Sequence, residues 1–129
     1  MAHTHDLVIR GGIVVGSLSS EALDVAVDGE TITALGQALR GRREIDASGL
    51  LVLPGVIDAH THMDLPVRGM RSSDDFESGT IAAAFGGVTT IVDFTVGGPE
   101  STIPEDIERR QADAAHALID YAFHAGRDF

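Results

Sequence analysis

Two histidines one residue apart, His60-Thr61-His62, are the most chemically loaded feature of this sequence. In extended backbone, side chains i and i+2 project from one face, so both imidazoles can converge on a single cation while Thr61 points away. Imidazole nitrogen suits Zn²⁺ and similar first-row metals at about 2.0–2.1 Å. The spacing alone is a weak signal, and the chain carries its own control, because His3-Thr4-His5 repeats it with the same middle residue. That earlier pair lies in a polar N-terminus of the kind that frays, and no metal role is expected for it. The later pair follows the apolar run Val56-Ile57-Asp58-Ala59, which removes the explanation of a solvated surface. Buried imidazoles there would need partners in any case.

Other polar residues receive plainer readings. His116 lies on the helical face opposite Ile107 and is read as solvated, and His124, after Phe123, as a satisfied structural histidine. Asp58, Asp64 and Asp93 stand on or near strand ends. Asp58 either orients the His60 imidazole as an acceptor or serves as a cap or loop hydrogen-bond acceptor.

The elements that must position the histidines change character near Leu50. Before it, Asp6–Ile9, Ile13–Val15, Leu23–Val27 and Thr31–Leu35 read as short strands, broken at Gly11-Gly12 and at the tight-turn dipeptide Asp28-Gly29. After it, Val56–His60 reads as a strand buried on both faces. Ser72, Ser73, Asp74 and Asp75 offer N-caps to a helix through Thr80–Phe85, which Gly86-Gly87 stops. Val88–Phe94 is β-branched and strand-like. Thr102-Ile103-Pro104-Glu105 fits a capping box opening a second helix, in which Ile107, Gln111, Ala114, Ala115 and Leu118 share one face. Tyr121–His124 begins a third strand.

Three strands alternating with two helices after Val56 indicate βαβ units and a parallel sheet, an α/β fold. An eight-fold α/β barrel takes about 250 residues, so 129 residues form either a small open sheet or part of something larger.

Composition sets limits. A net charge of −11, with scattered acids, disfavours nucleic-acid and anionic-membrane partners, which need a basic footprint. No apolar run approaches the roughly 20 residues of a membrane span, the N-terminus lacks the order of a signal peptide, and a cytoplasmic location is the default expectation. Cysteine is absent, so a metal must be held by His and carboxylates. All nine basic residues are Arg, and Lys does not occur.

The run Ile45-Asp46-Ala47-Ser48-Gly49-Leu50-Leu51-Val52-Leu53-Pro54-Gly55-Val56-Ile57-Asp58-Ala59-His60-Thr61-His62 resembles the opening signature of the amidohydrolase superfamily. Met63–Pro66, Ser73–Thr80 and Ala82–Phe94 resemble its dihydropyrimidinase/hydantoinase branch. A dihydroorotase or allantoinase usually places Arg or Asn two residues beyond the second His, where Asp64 stands.

The resemblance implies the N-terminal part of a (β/α)₈ metal-dependent hydrolase barrel, preceded by strands of a small β-sandwich. Residues 1–55 would be the N-terminal share of the sandwich, and 56–129 the first three strands and two helices of an incomplete barrel. It implies His60 and His62 as metal ligands, two divalent ions, usually zinc, and an Asp that shuttles a proton while a cyclic amide such as a hydantoin or dihydropyrimidine ring opens to an N-carbamoyl amino acid. It also implies a homo-oligomer, a tetramer, at full length. The carboxylated Lys that bridges the ions, two further His and the catalytic Asp belong to positions this chain lacks. Leu65, Pro66 and Val67 open a loop, running to Met70, that covers the substrate's exocyclic group. Relatives often have Phe after the Pro, so Val67 leaves the preferred ring substituent open.

Three functional classes follow: a portion of an active hydrolase, a portion of a non-catalytic dihydropyrimidinase-related scaffold, or a free-standing metal-binding module. Retention of both His60 and His62 argues against the scaffold, and an open barrel edge argues against the module.

Overall fold

The structure is a computed structural model describing residues 3–67 and 69–126. It divides into two compact units, Met1–Pro54 and Gly55–Phe129.

The first unit is a mixed sheet of β1 (His5–Val15), β2 (Ser20–Asp28), β3 (Thr31–Gly36), β4 (Gly41–Asp46) and β5 (Leu51–Val52), in the order β3-β2-β1-β4 with β5 also on β1. β2 pairs antiparallel with β1 and β3, whereas β4 and β5 run parallel to β1. The two strands expected on either side of Gly11-Gly12 are one strand with a register shift between Ile9 and Gly12. Asp24 holds that irregularity: buried, it accepts from the Gly11 N–H at 3.0 Å and the Leu39 N–H at 3.1 Å, so neither carboxylate oxygen is left without a donor. Val8, Val25, Ala26 and Ala47 are the buried apolar residues.

The second unit is a parallel sheet in the order β10-β9-β6, from β6 (Val56–Asp58), β9 (Val88–Phe94) and β10 (Asp120–His124). Helix α1 (Phe76–Phe85) joins β6 to β9, and α2 (Ile103–Asp113) with a 3₁₀ turn at Ala114–His116 joins β9 to β10. Both helix starts are capped as their sequences predict. Asp75 accepts from the Ser78 N–H at 2.8 Å, and the Glu105 carboxylate accepts from the Thr102 N–H at 2.7 Å. These bonds hold both carboxyls below their ordinary range, chiefly through the Ser78 and Thr102 backbone N–H groups. A hairpin of β7 (Pro66–Val67) and β8 (Met70–Arg71) precedes α1.

Two expectations need correction. β6 is not buried on both faces: Val56 and Ile57 are exposed, and among the described residues β6 is an edge strand paired with β9. The buried face of α2 is not the one through Ile107. The helix ends at Asp113, Gln111, Ala115 and Leu118 are exposed, and the buried residues are Asp106, Arg110 and, just beyond, Ala114. Arg110 is buried on this face because the sheet supplies it with a charge partner, Asp93, as described below, whereas Asp106 has only Arg109 of its own helix nearby at 3.2 Å. The small core gathers Phe76, Ile91 and Ala114, with Met63, Val88, Ala117, Ile119 and Phe123 packed around them.

Gly55 is fixed by close approach. A methyl group there would stand 2.0 Å from Thr89 Oγ1 and 2.7 Å from Thr89 Cβ, at the point where the Val56 N–H donates to the Gly87 carbonyl at 3.0 Å. Gly55→Ala is expected to push β6 away from β9 and lower stability by about 1–3 kcal/mol, the usual cost of overpacking. A urea titration reads this directly, and an unchanged midpoint would show that β6 can shift freely.

Candidate functional site

β6 ends at Asp58, so His60 and His62 occupy the loop that leaves its carboxyl end rather than the strand itself. The alternation of faces nevertheless continues. The Thr61 N–H donates to the Val92 carbonyl at 3.1 Å, extending the contact between this segment and β9. The Thr61 hydroxyl turns inward to Asp93 at 3.3 Å. His60 and His62 are exposed on the other side, their Nε2 atoms 3.2 Å apart. Two ligands about 2.1 Å from one ion at a tetrahedral angle lie about 3.4 Å apart. The pair can therefore share a cation with little rearrangement.

Phe94, at the carboxyl end of β9, sets the attitude of the rings. Its centroid lies 4.6 Å from that of His60, 5.1 Å from that of His62 and 4.7 Å from that of His124. His124 donates from Nε2 to the Ala59 carbonyl at 3.0 Å, consistent with the structural reading. Asp58 accepts from the His60 backbone N–H at 3.2 Å, so of the two roles open to it the loop hydrogen bond is the one present.

Beneath the loop lies a buried ion pair. Asp93 Oδ1 accepts from Arg110 Nη2 at 2.8 Å, with both side chains buried. Asp93 Oδ2 accepts from the Met63 N–H at 2.7 Å, and Arg110 Nη2 donates to the Met63 carbonyl. Arg110 Nε reaches the Phe94 carbonyl at 3.1 Å, and the guanidinium lies 4.6 Å from the Phe76 ring centroid. Thus both backbone polar groups of Met63, the residue after His62, are clamped by one carboxylate and one guanidinium. The Met63 side chain seats against Gly79 of α1, where an added methyl would lie 2.3 Å from its sulfur.

Sequence reasoning does not single out Arg110 or Phe94, and it places Asp93 only on or near a strand end. The available signal was Asp93 itself. A lone carboxylate inside the run Val88–Phe94 demands a cationic partner if the strand is buried, and an arginine-bearing helix follows.

The hairpin bearing the predicted substrate-loop residues is tied to the same loop. The Ser72 hydroxyl donates to the His62 carbonyl at 3.2 Å and accepts from the Leu65 N–H at 2.8 Å. Leu65 is half-buried, Pro66 is exposed and pairs with Arg71, and Val67 pairs with Met70. Asp64 takes a left-handed backbone conformation, φ 44°, and accepts from Arg71, whose pKa that bond raises.

The His3-Thr4-His5 expectation is overturned in part. His5 begins β1 and is buried, and with His3 it closes on Asp28. Among the described residues, these three are the group of metal-capable side chains close enough to surround one ion.

No family model matches the chain. It is 44% identical to a dihydropyrimidinase of Rattus norvegicus over 96% of its length, and 42% identical to a D-hydantoinase of Geobacillus stearothermophilus over 91%. It superposes on the crystal structure of a dihydropyrimidinase from Brevibacillus agri with a TM-score of 0.86 and 43% identity over 91% of the chain. Over most of its own length the chain is similar to members of the dihydropyrimidinase/D-hydantoinase family. It spans only about a quarter of the length of these relatives, 25% of the rat protein and 26% of the Geobacillus one. A beta-aspartyl dipeptidase at 19% identity, TM-score 0.60, shares the fold alone. Among the described residues, no helix is long and apolar enough to cross a membrane.

Proposed function

We propose that this chain is the part of a cyclic-amide hydrolase that supplies His60 and His62 to a divalent-metal centre. The whole protein opens a hydantoin or dihydropyrimidine ring to an N-carbamoyl amino acid. The observation that carries the reading is the convergence of His60 and His62, Nε2 to Nε2 3.2 Å, at the carboxyl end of a parallel sheet. Such folds keep their chemistry at that end.

The donor set fits a metal. Both histidines are exposed, their Nε2 atoms face each other at 3.2 Å, and both rings lean on the apolar ring of Phe94. Zn²⁺ or a similar first-row ion suits them. When bound, such an ion polarises an amide carbonyl and acidifies water. The chain's own residues prepare that site. Asp93 and Arg110 fix the backbone after His62, Phe94 orients the rings, and Ser72 ties the hairpin of Leu65, Pro66 and Val67 to the His62 carbonyl. We assign that hairpin to the substituent side of the ring. In this reading the strands of the first unit are part of a β-sandwich, and β6, β9 and β10 are the first three strands of a (β/α)₈ barrel. The full protein is a homo-oligomer.

The test is ring opening of hydantoin and dihydrouracil by the whole protein, with and without His60→Ala/His62→Ala. Turnover is expected in the first and a loss of at least about 10³-fold in the second, as for removal of groups that generate a metal-activated nucleophile. The 129-residue chain, with His60 and His62 as its two ligands at this site and no Lys, is expected to give no turnover above the double variant. A whole protein that binds zinc through His60 and His62 but opens neither ring would reject this substrate class.

A further inference from the structure

We propose that His3, His5 and Asp28 form a three-ligand cation site in the first unit, for a first-row divalent ion of the Zn²⁺ class, which staples the start of β1 to the β2–β3 turn.

The three side chains come from separate places in the sheet. His5 opens β1, His3 precedes it, and Asp28 ends β2 immediately before the turn at Gly29-Glu30. The antiparallel pairing that sets Leu7 against Val27 brings the start of β1 beside Asp28. Asp28 Oδ2 then lies 2.8 Å from His5 Nδ1 and 3.5 Å from His3 Nε2, and the two rings meet edge to face at 4.5 Å between centroids. One ligand atom from each residue lies within 4.8 Å of the others. The His3–Asp28 separation already matches the edge of a tetrahedron around a bound ion, about 3.4 Å, and the His5–Asp28 hydrogen bond needs to open by only about 0.6 Å.

The carboxylate is oriented as a ligand should be. Its Oδ1 accepts from the Asp6 N–H at 2.9 Å, which leaves Oδ2 as the atom facing the imidazoles. The Thr33 hydroxyl donates to Oδ2 at 2.7 Å, holding it from the side of β3. Asp6 closes the arrangement by accepting from the Gly29 N–H at 3.0 Å. Outer hydrogen bonds of this kind fix the direction of a liganding carboxylate. The His5 bond, followed by that of Thr33, also holds the Asp28 carboxyl well below the usual carboxylate range.

His5 is buried while the His3 side chain is 72% exposed, so the site has one half within the sheet and the other open to solvent. Ion binding requires His5 to pass its proton from Nδ1 to Nε2, a change of tautomer with no net loss of charge. Two imidazoles and a carboxylate leave a fourth position to water, the donor set of an open zinc site. Its effect is on folding: it ties residues 3 and 5 to residue 28 and stabilises the sheet by mass action.

The experiment uses the 129-residue chain carrying His60→Ala and His62→Ala, which silences the other pair. Titration with Zn²⁺ by calorimetry, and with Co²⁺ followed by its visible d–d absorption, is expected to give one equivalent and a rise in thermal midpoint. His3→Ala and Asp28→Asn, each added to that background, are expected to weaken binding at least about tenfold and to remove the Co²⁺ band. Asp28→Asn can disturb the turn, so the decisive variant is His3→Ala, whose side chain is exposed and whose removal leaves the sheet's hydrogen bonds in place. Absence of binding, or binding that either variant leaves intact, would reduce the cluster to a His5–Asp28 hydrogen bond and overturn the proposal.

Discussion

Replacing Arg110 by Met is expected to destabilise the chain by about 3–5 kcal/mol, the cost of leaving a buried carboxylate without its cation. Asp93 would keep its bonds from the Met63 and Phe94 N–H groups, at 2.7 and 2.6 Å, but would lose Arg110 at 2.8 Å. Asp93→Asn is expected to be damaging for a different reason. It preserves shape but removes the charge, and it sets an NH₂ group against either the guanidinium or the Met63 N–H. Because the two residues act as a unit, the double variant Arg110→Met/Asp93→Asn should cost less than the sum of the singles. The effect reaches the site. Met63 is held through both its N–H and its carbonyl, and its neighbour His62 depends on that clamp for its approach to His60. Urea titration monitored by circular dichroism, at matched protein concentrations because association adds to apparent stability, reads the first effect. Zn²⁺ affinity in a His3→Ala background reads the second. An Arg110→Met midpoint equivalent to a loss under 1 kcal/mol would show that the pair is solvated and the clamp unimportant.

The distribution of what sequence reasoning found and missed follows the range of the forces involved. The convergence of His60 and His62 was legible because it depends only on the two-residue period of extended backbone, which survives even though β6 stops at Asp58. The capping residues Asp75 and Glu105 were legible for a similar reason, each bond spanning three residues. The burial of α2 was not. Apolar periodicity placed Ile107 on the inner face, but Arg110 is buried because Asp93, 17 residues before it, meets the guanidinium there. Helical periodicity assumes that the inner face is apolar, and a buried ion pair breaks the assumption. The first unit repeats the lesson. His5 read as part of a frayed end because its partner, Asp28, lies 23 residues away across a strand pairing. β6 erred in the opposite direction. Its composition is that of a covered strand, yet Val56 and Ile57 are exposed with only β9 alongside.

That mismatch between composition and exposure leads to the expectation that the 129-residue chain self-associates in solution. Val56 and Ile57 point to opposite faces of β6 and are 52% and 63% exposed, so neither face of the strand is covered. Leu118 is exposed before β10, Tyr121 is exposed on it, and Phe85 at the end of α1 is 92% exposed. Among the described residues β6 and β10 are both edge strands, each with one row of N–H and C=O groups that no strand pairs. Unprotected edges beside apolar side chains are templates for pairing with another chain, and relatives four times as long have chain to cover them. At a net charge of −11, repulsion opposes association but is screened beyond about 8–10 Å at physiological salt, whereas edge pairing acts at contact. Sedimentation velocity at rising concentration should therefore show oligomers growing at the expense of monomer, more so as salt is added. Ile57→Lys and Tyr121→Lys, which place charge on the two edges, should return the chain toward monomer. A sharp, reversible melt from a salt-independent monomer would show that the three-strand sheet is self-sufficient, and would favour the free-standing metal-binding module over the hydrolase portion.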